Sequence, residues 1–211
     1  IADRHEIRIE AIRRGIPIIH GEDGFLPHYS TLHVDPTGFC WESSLTRLEY
    51  KEGEVTDAER KIINSEVYNA NGPGANKYKG KPYVLLPLQL IGDRVNRFGL
   101  NVTGDWSRVI KHARSCVPAD IDIVIKPHPR GSKKEFAIYE RIAKADKSIR
   151  WEPRGVLDKL INESVGVIGM NSTVLTEARL KCNKPVWAYG KSWYTNHTQL
   201  IYPISLDQPA R

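Results

Sequence analysis

The sequence predicts an α/β protein whose C-terminal part is a doubly wound parallel sheet. Beyond residue 82, short apolar runs alternate with segments of helical periodicity, the pattern of repeated strand–helix units. Residues 71–82 contain three Gly, two Pro and no hydrophobic period, which predicts a linker. The chain therefore divides into a short N-terminal α/β part, residues 1–75, and a C-terminal domain, residues 76–211.

The N-terminal part is predicted to combine two helices with a strand. Residues 3–14 place isoleucines among charged residues, as an amphipathic helix does, and Gly15 follows as a stop signal. Residues 16–20 form a short apolar run typical of a buried strand. A second helix is predicted over residues 56–70, because Thr56 and Glu59 have the spacing of a capping box.

The C-terminal part is predicted to hold four strands, at residues 83–88, 121–126, 165–169 and 185–188. Helices are predicted near residues 105–116, 133–145, 155–163 and 172–181. In a doubly wound sheet, ligands bind beyond the carboxyl ends of the strands. Motifs that directly follow a strand are therefore the candidates for function.

Composition excludes several classes of function. The net charge of +6 is dispersed, and the basic pairs Arg13-Arg14 and Lys133-Lys134 lack interleaved aromatic residues, so a nucleic-acid partner is not expected. A solvated basic surface is the favoured interpretation; an anionic small substrate or contact with an anionic membrane surface stays open. No apolar run reaches the ~20 residues of a membrane span, and no signal peptide is recognisable. We therefore expect a cytoplasmic protein, with peripheral association at the inner face of the membrane left open.

Neither a metal nor a cofactor is expected. The three cysteines have no CxxC spacing, the histidines lack the spacing of a zinc site, and there is no DxD motif. The cysteines are expected to be free thiols.

The first candidate motif is Lys126-Pro127-His128-Pro129, which follows a predicted strand. The prolines restrict the turn and hold His128 at the strand end, while Lys126 adds a positive charge. A histidine held there could donate a hydrogen bond to a phosphate. An exposed turn with an incidental histidine is an equally good interpretation of the spacing alone.

The second motif is Asn171-Ser172-Thr173, between a strand and a helix. Asn or Ser is a good N-cap, and the free N–H groups of a first helical turn form an anion site. The hydroxyls of Ser172 and Thr173 would add donors. By itself, this motif indicates a well-capped helix more readily than a ligand site.

The third motif is Glu22-Asp23-Gly24, after the strand predicted at residues 16–20. A carboxylate there can act as a general base toward an acceptor hydroxyl or as a nucleophile on an anomeric carbon. An ordinary acidic turn is the competing interpretation, and it is the more common one.

Taken in order, the three motifs resemble those of CMP-sugar-dependent transferases of the GT-B type, including bacterial sialyltransferases. A closer resemblance is to the capsule-polysaccharide biosynthesis proteins, which include transferases of the acidic sugar Kdo. Further matching positions run from about residue 16 to 195: Phe25-Leu26-Pro27, Thr31-Leu32, Gly38, Leu86-Pro87-Leu88-Gln89, Gly92-Asp93, Lys184-Pro185-Val186, Gly190 and Tyr194.

The resemblance implies a GT-B-like fold of two Rossmann-like halves, the N-terminal one short or truncated. It implies a metal-independent glycosyltransferase that moves Kdo or a related acidic sugar from a CMP-activated donor to a polysaccharide or glycolipid acceptor. Glu22 or Asp23 would be catalytic, as base or as nucleophile. Donor or substrate contacts would come from Gly24, Gln89, Asp93, Lys126, His128, Pro129, Asn171, Ser172, Thr173 and Glu177.

Within that set, the phosphate would lie against Lys126, His128, Ser172 and Thr173. Glu177 would accept a hydrogen bond from the ribose or the base, although an ordinary surface glutamate fits equally well. Gln89 and Asp93 follow a strand and so lie near the cleft, but Asp93 could instead cap a helix.

Two alternatives stay open from the sequence. One is a CDP-glycerol or CDP-ribitol phosphotransferase, which also releases CMP and carries a His-Pro motif; the acidic motif argues mildly against it. The other is a non-catalytic nucleotide-binding remnant, which the short first half suggests.

Overall fold

A computed structural model describes residues 5–24, 32–49, 80–93, 95–96, 106–197 and 201–206. The helix predicted over residues 56–70 and residues 71–79 of the predicted linker lie outside the described residues, as do Phe25-Leu26-Pro27 and Thr31 of the resembling motifs.

In the described residues of the N-terminal part, the structure shows one helix, one antiparallel strand pair and two short 3₁₀ turns. Helix α1 spans His5–Arg13, close to the predicted helix. Strand β1, His20–Asp23, pairs antiparallel with β2, Leu32–Asp35. The 3₁₀ turns span Cys40–Glu42 and Ser44–Arg47.

The strand predicted at residues 16–20 is wrong. The strand begins only at His20, and Ile16 and Ile19 are 53% and 72% exposed. Among the described residues, β2 pairs with His20–Asp23 and not with residues 16–19. In addition, Pro17 has no N–H that could donate a hydrogen bond to a neighbouring strand. As a result, Glu22 and Asp23 lie inside a strand and not in the turn after one.

The C-terminal part is a six-stranded parallel sheet with the order β5-β4-β3-β6-β7-β8. Its strands are β3 Tyr83–Pro87, β4 Asp122–Lys126, β5 Ile149–Trp151, β6 Gly166–Gly169, β7 Val186–Ala188 and β8 Tyr202–Pro203. The helices among its described residues are α2 Ser107–Cys116, α3 Lys133–Ala145, α4 Leu157–Glu163 and α5 Thr173–Leu180.

This arrangement confirms the predicted α/β class, the four predicted strands and the four predicted helices of the C-terminal part. Strands β5 and β8 were not predicted, because runs of three and two residues are too short to show a hydrophobic pattern.

Helices cover both faces of the sheet, which is why β3 is apolar throughout. Val84 and Leu86 pack in one core with Val109 and Ile110 of α2. Tyr83 and Leu85 pack on the opposite face with residues of α4 and α5. A strand buried on both faces has no solvent side, so it shows no polar alternation.

The strand order places a switch point between β3 and β6. From β3 the chain proceeds outward to β4 and β5, then crosses back to β6 and proceeds the other way to β7 and β8. The loops after β3 and β6 therefore diverge and leave a crevice at the carboxyl edge of the sheet, where doubly wound proteins bind ligands.

Candidate functional site

A cavity of about 500 Å³ opens at this carboxyl edge, within the usual size range of small-molecule sites. It receives residues from the β1–β2 hairpin, from the loops after β3, β4 and β6, and from α5. Its lining residues are Glu22, Asp23, Cys40, Gln89, Asp93, Val95, His128, Pro129, Arg130, Leu157, Asn171, Ser172, Thr173, Val174, Glu177, Ser192 and Trp193.

The loop after β4 fixes the orientation of His128. The backbone N–H of Arg130 donates to Nδ1 of His128 at 3.2 Å, so Nδ1 is an acceptor and the proton of the neutral ring resides on Nε2. Burial lowers the pKa of His128, and the neighbouring Arg130 charge lowers it further. At neutral pH, His128 is therefore an uncharged ring whose Nε2–H is available as a donor.

The N-terminus of α5 contributes backbone donors to the cavity. Ser172 is the N-cap, and its hydroxyl accepts from the N–H of Val174 at 3.2 Å. Ser172, Thr173 and Val174 all line the cavity. The N–H groups of Val174 and Leu175 already donate to Ser172, so what the first turn offers the cavity is the N–H of Thr173 and the positive end of the helix dipole.

Asn171 and Gln89 join the two sides of the switch point. Oε1 of Gln89, after β3, accepts from the N–H of Asn171, after β6, at 3.2 Å. Nδ2 of Asn171 donates to the carbonyls of Val95 and Lys191 at 2.5 and 3.2 Å. Asn171 is only 3% exposed, and its hydrogen bonds link the loops that contain Gln89, Val95 and Lys191.

Glu22 extends from the hairpin into the cavity. Its Oε1 accepts from the backbone N–H of Cys40 at 3.2 Å, and burial raises the pKa of its carboxyl group. Asp23 also lines the cavity, but it lies on the opposite, exposed face of β1. The two adjacent carboxylates therefore have different environments.

Cys40 attaches this carboxylate to the C-terminal part. It adopts a positive φ of 53°, a conformation rare for residues other than Gly, Asn and Asp. Its Sγ lies 3.5 Å from Oγ of Ser192. Strain of this kind is found where surrounding contacts hold a functional geometry.

The structure brings together all the predicted site residues except Gly24 and Lys126, which do not line the cavity. Gly24 is buried. Nζ of Lys126 donates to the carbonyl of Pro153 at 2.9 Å. The positive side chain that lines the cavity on this loop is Arg130.

A match to the family described as capsule polysaccharide biosynthesis protein covers residues 43–198. This chain belongs to that family. The family match includes the loops after β3, β4 and β6 and helix α5, whereas the acidic residues of β1 lie before it. Comparison with curated protein sequences gives no match.

Two solved structures share the fold of this capsule-biosynthesis family member. One is KpsC of Thermosulfurimonas dismutans, a beta Kdo 2,7 transferase, with 18% identity, a TM-score of 0.68, and coverage of 99% of this chain and 77% of that one. The other is KpsC of the same organism, a beta Kdo 2,4 transferase, with 18% identity, a TM-score of 0.71, and coverage of 100% and 74%. At this identity the likeness shows the fold.

Asp93 and Glu177 each have a partner within the protein. Oδ1 of Asp93 accepts from the N–H of Val95 at 3.2 Å, so Asp93 does hold its own loop in place. Oε1 of Glu177 lies 3.3 Å from Nζ of Lys181 one turn along α5. Both carboxylates still line the cavity of this family member, and their roles toward a ligand stay predictions.

Sequence reasoning missed Arg130, Cys40, Ser192 and Trp193 as lining residues. Arg130 could have been predicted from the sequence, since it directly follows the His-Pro motif and shares its loop. No local pattern in the sequence marks Cys40, Ser192 or Trp193, because contacts such as that between Cys40 and Ser192 join residues 152 positions apart.

A second cavity, of about 480 Å³, lies beside α2 and is mainly apolar. Its lining includes Val84, Ile121, Ile168 and Trp187, with His112 and Cys116 as the polar members. The described residues include no cluster of three or more His, Cys, Asp or Glu side chains that could hold a metal ion. In the same part of the chain, no helix is long and apolar enough to cross a bilayer.

Proposed function

We propose that this capsule-biosynthesis family member is a glycosyltransferase that moves Kdo or a related acidic sugar from a CMP-activated donor to a saccharide or glycolipid acceptor. The observation that carries the proposal is the convergence of three motifs, far apart in sequence, in one cavity at the switch point of a doubly wound sheet. The Kdo transferases named among the structures of the same fold support the choice of sugar.

The phosphate of the donor is held by the second half of the protein. His128, Arg130 and the residues at the start of α5 line the cavity from neighbouring loops, and Nε2–H of His128, the guanidinium of Arg130 and the positive end of the helix dipole are the groups that would hold the phosphate. These fixed donors stabilise the charge that builds up on CMP as it leaves, which is often the largest contribution to catalysis. In this mechanism they take the place of a metal ion, and no cofactor is needed.

The reacting carboxylate comes from the first half. Glu22 or Asp23 acts as a base toward the acceptor hydroxyl if the reaction inverts, or as a nucleophile on the anomeric carbon if it retains. The environment favours Glu22, since partial burial raises its pKa and makes its ionised form a stronger base than an exposed carboxylate.

The acceptor is a growing saccharide or a glycolipid. The net charge of +6 suits a protein that works on acidic sugars at the cytoplasmic face of an anionic membrane, which it would contact peripherally. No nucleic-acid partner enters this proposal.

The test is release of CMP from CMP-Kdo, CMP-sialic acid and CDP-glycerol, with and without acceptor. We expect release from CMP-Kdo, or from CMP-sialic acid as a related donor. Release from CDP-glycerol alone would identify a polyol-phosphate transferase, and CMP binding without release from any donor would indicate a non-catalytic protein.

Glu22→Gln and Asp23→Asn separate chemistry from binding. Loss of the catalytic carboxylate is expected to reduce turnover by about 10²–10⁴-fold, the usual contribution of a general base. Affinity for CMP, measured by calorimetry, is expected to stay at the wild-type value, because the phosphate contacts lie in the other half. Normal turnover in both variants would remove the catalytic assignment.

A further inference from the structure

The β1–β2 hairpin carries four titratable residues on one face. The register pairs His20 with Asp35 and Glu22 with His33. These four are buried or half-buried, whereas the alternate residues of both strands are exposed. Since side chains alternate across a strand, the hairpin places an entirely titratable face inward.

Asp35 is the fixed anion of this face. It is 1% exposed and accepts six hydrogen bonds. Thr37 and Gly38 donate to Oδ1, and Ser43 and Ser44 donate to Oδ2, at distances between 2.7 and 3.2 Å. Although burial opposes ionisation, these hydrogen bonds hold the pKa of Asp35 well below its usual range. Asp35 therefore stays ionised.

His33 lies next to this anion. Its Nε2 is 3.6 Å from Oδ2 of Asp35 and 3.2 Å from Oγ of Ser43. The Ser43 hydroxyl gives its proton to Asp35, so its oxygen accepts from Nε2–H of His33. The ring is thus held by its Nε2–H and lies beside the negative charge of Asp35.

Glu22 is the direct cross-strand partner of His33. Directly opposed side chains of an antiparallel pair have Cβ atoms about 4.5–5.5 Å apart. On its other side, Glu22 accepts from the N–H of Cys40. The order across the hairpin is anion, imidazole, anion, with Glu22 as the member that reaches the cavity.

We propose that His33 is a positioning residue that holds Glu22 ionised and oriented toward the cavity, with Asp35 as the anchor of the imidazole. This rests on the proposed function insofar as Glu22 is the reacting carboxylate. The two histidines therefore act on different groups: His33 acts on the reacting carboxylate, and His128 binds the phosphate of the leaving CMP.

The other titratable groups near Glu22 do not lower its pKa as His33 does. Asp23 and Asp35 raise the pKa of Glu22, whereas the His33 charge lowers it. Burial raises the pKa of the Cys40 thiol to about 11, so the thiol is uncharged at neutral pH. The remaining charged or titratable groups that line the cavity are Asp93, His128, Arg130 and Glu177.

His33→Gln is the decisive variant. The amide Nε2 of Gln can replace the donor to Ser43 but cannot carry a charge, so the hairpin keeps its hydrogen bond and loses the group that lowers the pKa of Glu22. The titration of Glu22 is followed by ¹³C NMR of the glutamate carboxyl carbons, and the Glu22→Gln variant assigns the Glu22 resonance. The Glu22 carboxyl is expected to titrate at a higher pH in His33→Gln than in wild type.

The kinetic counterpart is the pH profile of kcat. If Glu22 must be ionised, the acidic limb moves to higher pH in His33→Gln, while the plateau at higher pH is retained. In His33→Ala, which also loses the hydrogen bond to Ser43, the plateau itself is expected to fall, by up to about 100-fold, because the carboxylate is no longer aimed. CMP affinity is expected to stay unchanged in both variants.

His20→Gln is the matched control, since His20 shares the inward face but pairs with Asp35 instead of Glu22. An unchanged Glu22 titration in His33→Gln, or an equal shift in His20→Gln, would overturn the proposal. If His33→Gln fails to fold, the wild-type protein still decides the proposal: the His33 ring resonances must respond as Glu22 titrates, and their failure to respond refutes the coupling between the two side chains. A shift of the Glu22 titration without CMP release from any donor would reject the proposed function alone.

Discussion

His128→Asn is the most informative single change in the phosphate site. The Asn side-chain oxygen can accept from the N–H of Arg130, as Nδ1 of His128 does at 3.2 Å, because Asn commonly bonds the backbone two residues on. The turn after β4 is therefore kept, and only the Nε2–H donor is lost.

The size of the expected effect follows from the type of hydrogen bond. A hydrogen bond to a charged phosphate contributes about 1.5–3 kcal/mol. At 1.4 kcal/mol per tenfold, this is a rise in Kd for CMP of about 10- to 150-fold. Because the cavity is open to solvent, we expect a value near the lower end.

Two neighbouring cations serve as comparisons. Arg130→Gln removes an exposed charge from the lining, which is worth about 0.2–1 kcal/mol, or about 1.5- to 5-fold in Kd, and its effect should shrink at high salt. Lys126→Met removes a cation that is bound to the carbonyl of Pro153 and does not line the cavity, so affinity should hardly change.

Calorimetry with CMP at fixed ionic strength measures all three variants. The expected order of affinity loss is His128→Asn, then Arg130→Gln, then Lys126→Met. Wild-type affinity in His128→Asn would refute the assignment of the phosphate to this loop. A loss in Lys126→Met as large as that in His128→Asn would show that Lys126 turns toward the ligand and that the reasoning from its contact is wrong.

Two further predictions concern stability, measured by urea unfolding. Asp35→Asn replaces an acceptor of six hydrogen bonds by a group that cannot satisfy all six donors, and is expected to cost about 2–4 kcal/mol, whereas Asp23→Asn on the exposed face should cost little. Since the pKa of Asp35 is lowered on folding, its contribution is complete above the unfolded pKa and fades as pH falls below about 4, so the variant should lose less stability on acidification than wild type. Equal acid sensitivity would argue against an ionised Asp35. Leu175→Ala leaves a cavity at a fully buried position on the inner face of α5 and is expected to lower the free energy of unfolding by about 2–5 kcal/mol. Leu180→Ala, at a half-buried position of the same helix, is expected to lower it clearly less.

The site in the C-terminal part was largely predictable because its motifs adjoin strong local signals. The apolar run of β4 ends at Lys126, so His128 had to follow a strand, and α5 is preceded by a capping serine at Ser172. Local patterns suffice there, because a parallel strand buried on both faces leaves a continuous apolar run and a helix start leaves a capping residue.

The acidic motif was less predictable because an apolar run was mistaken for the strand. In the described part of the chain, pairing with β2 places the strand at His20–Asp23, and that pairing depends on Leu32–Asp35, which lie further along the chain. Shifting the strand also decides which carboxylate lies inward, since a one-residue change of register exchanges the faces.

The amino-acid sequence by itself determined the alternation of strands and helices, the order of the three motifs and their positions after or near strands. These depend on local periodicity, capping and turn chemistry, which act over a few residues. The tertiary structure alone decided that Arg130 and not Lys126 lines the cavity, that Asn171 ties the loops at the switch point, and that His33 and Asp35 lie behind Glu22. Those outcomes depend on where side chains meet across sheet edges and hairpins, and such contacts join residues whose separation in the chain carries no local pattern.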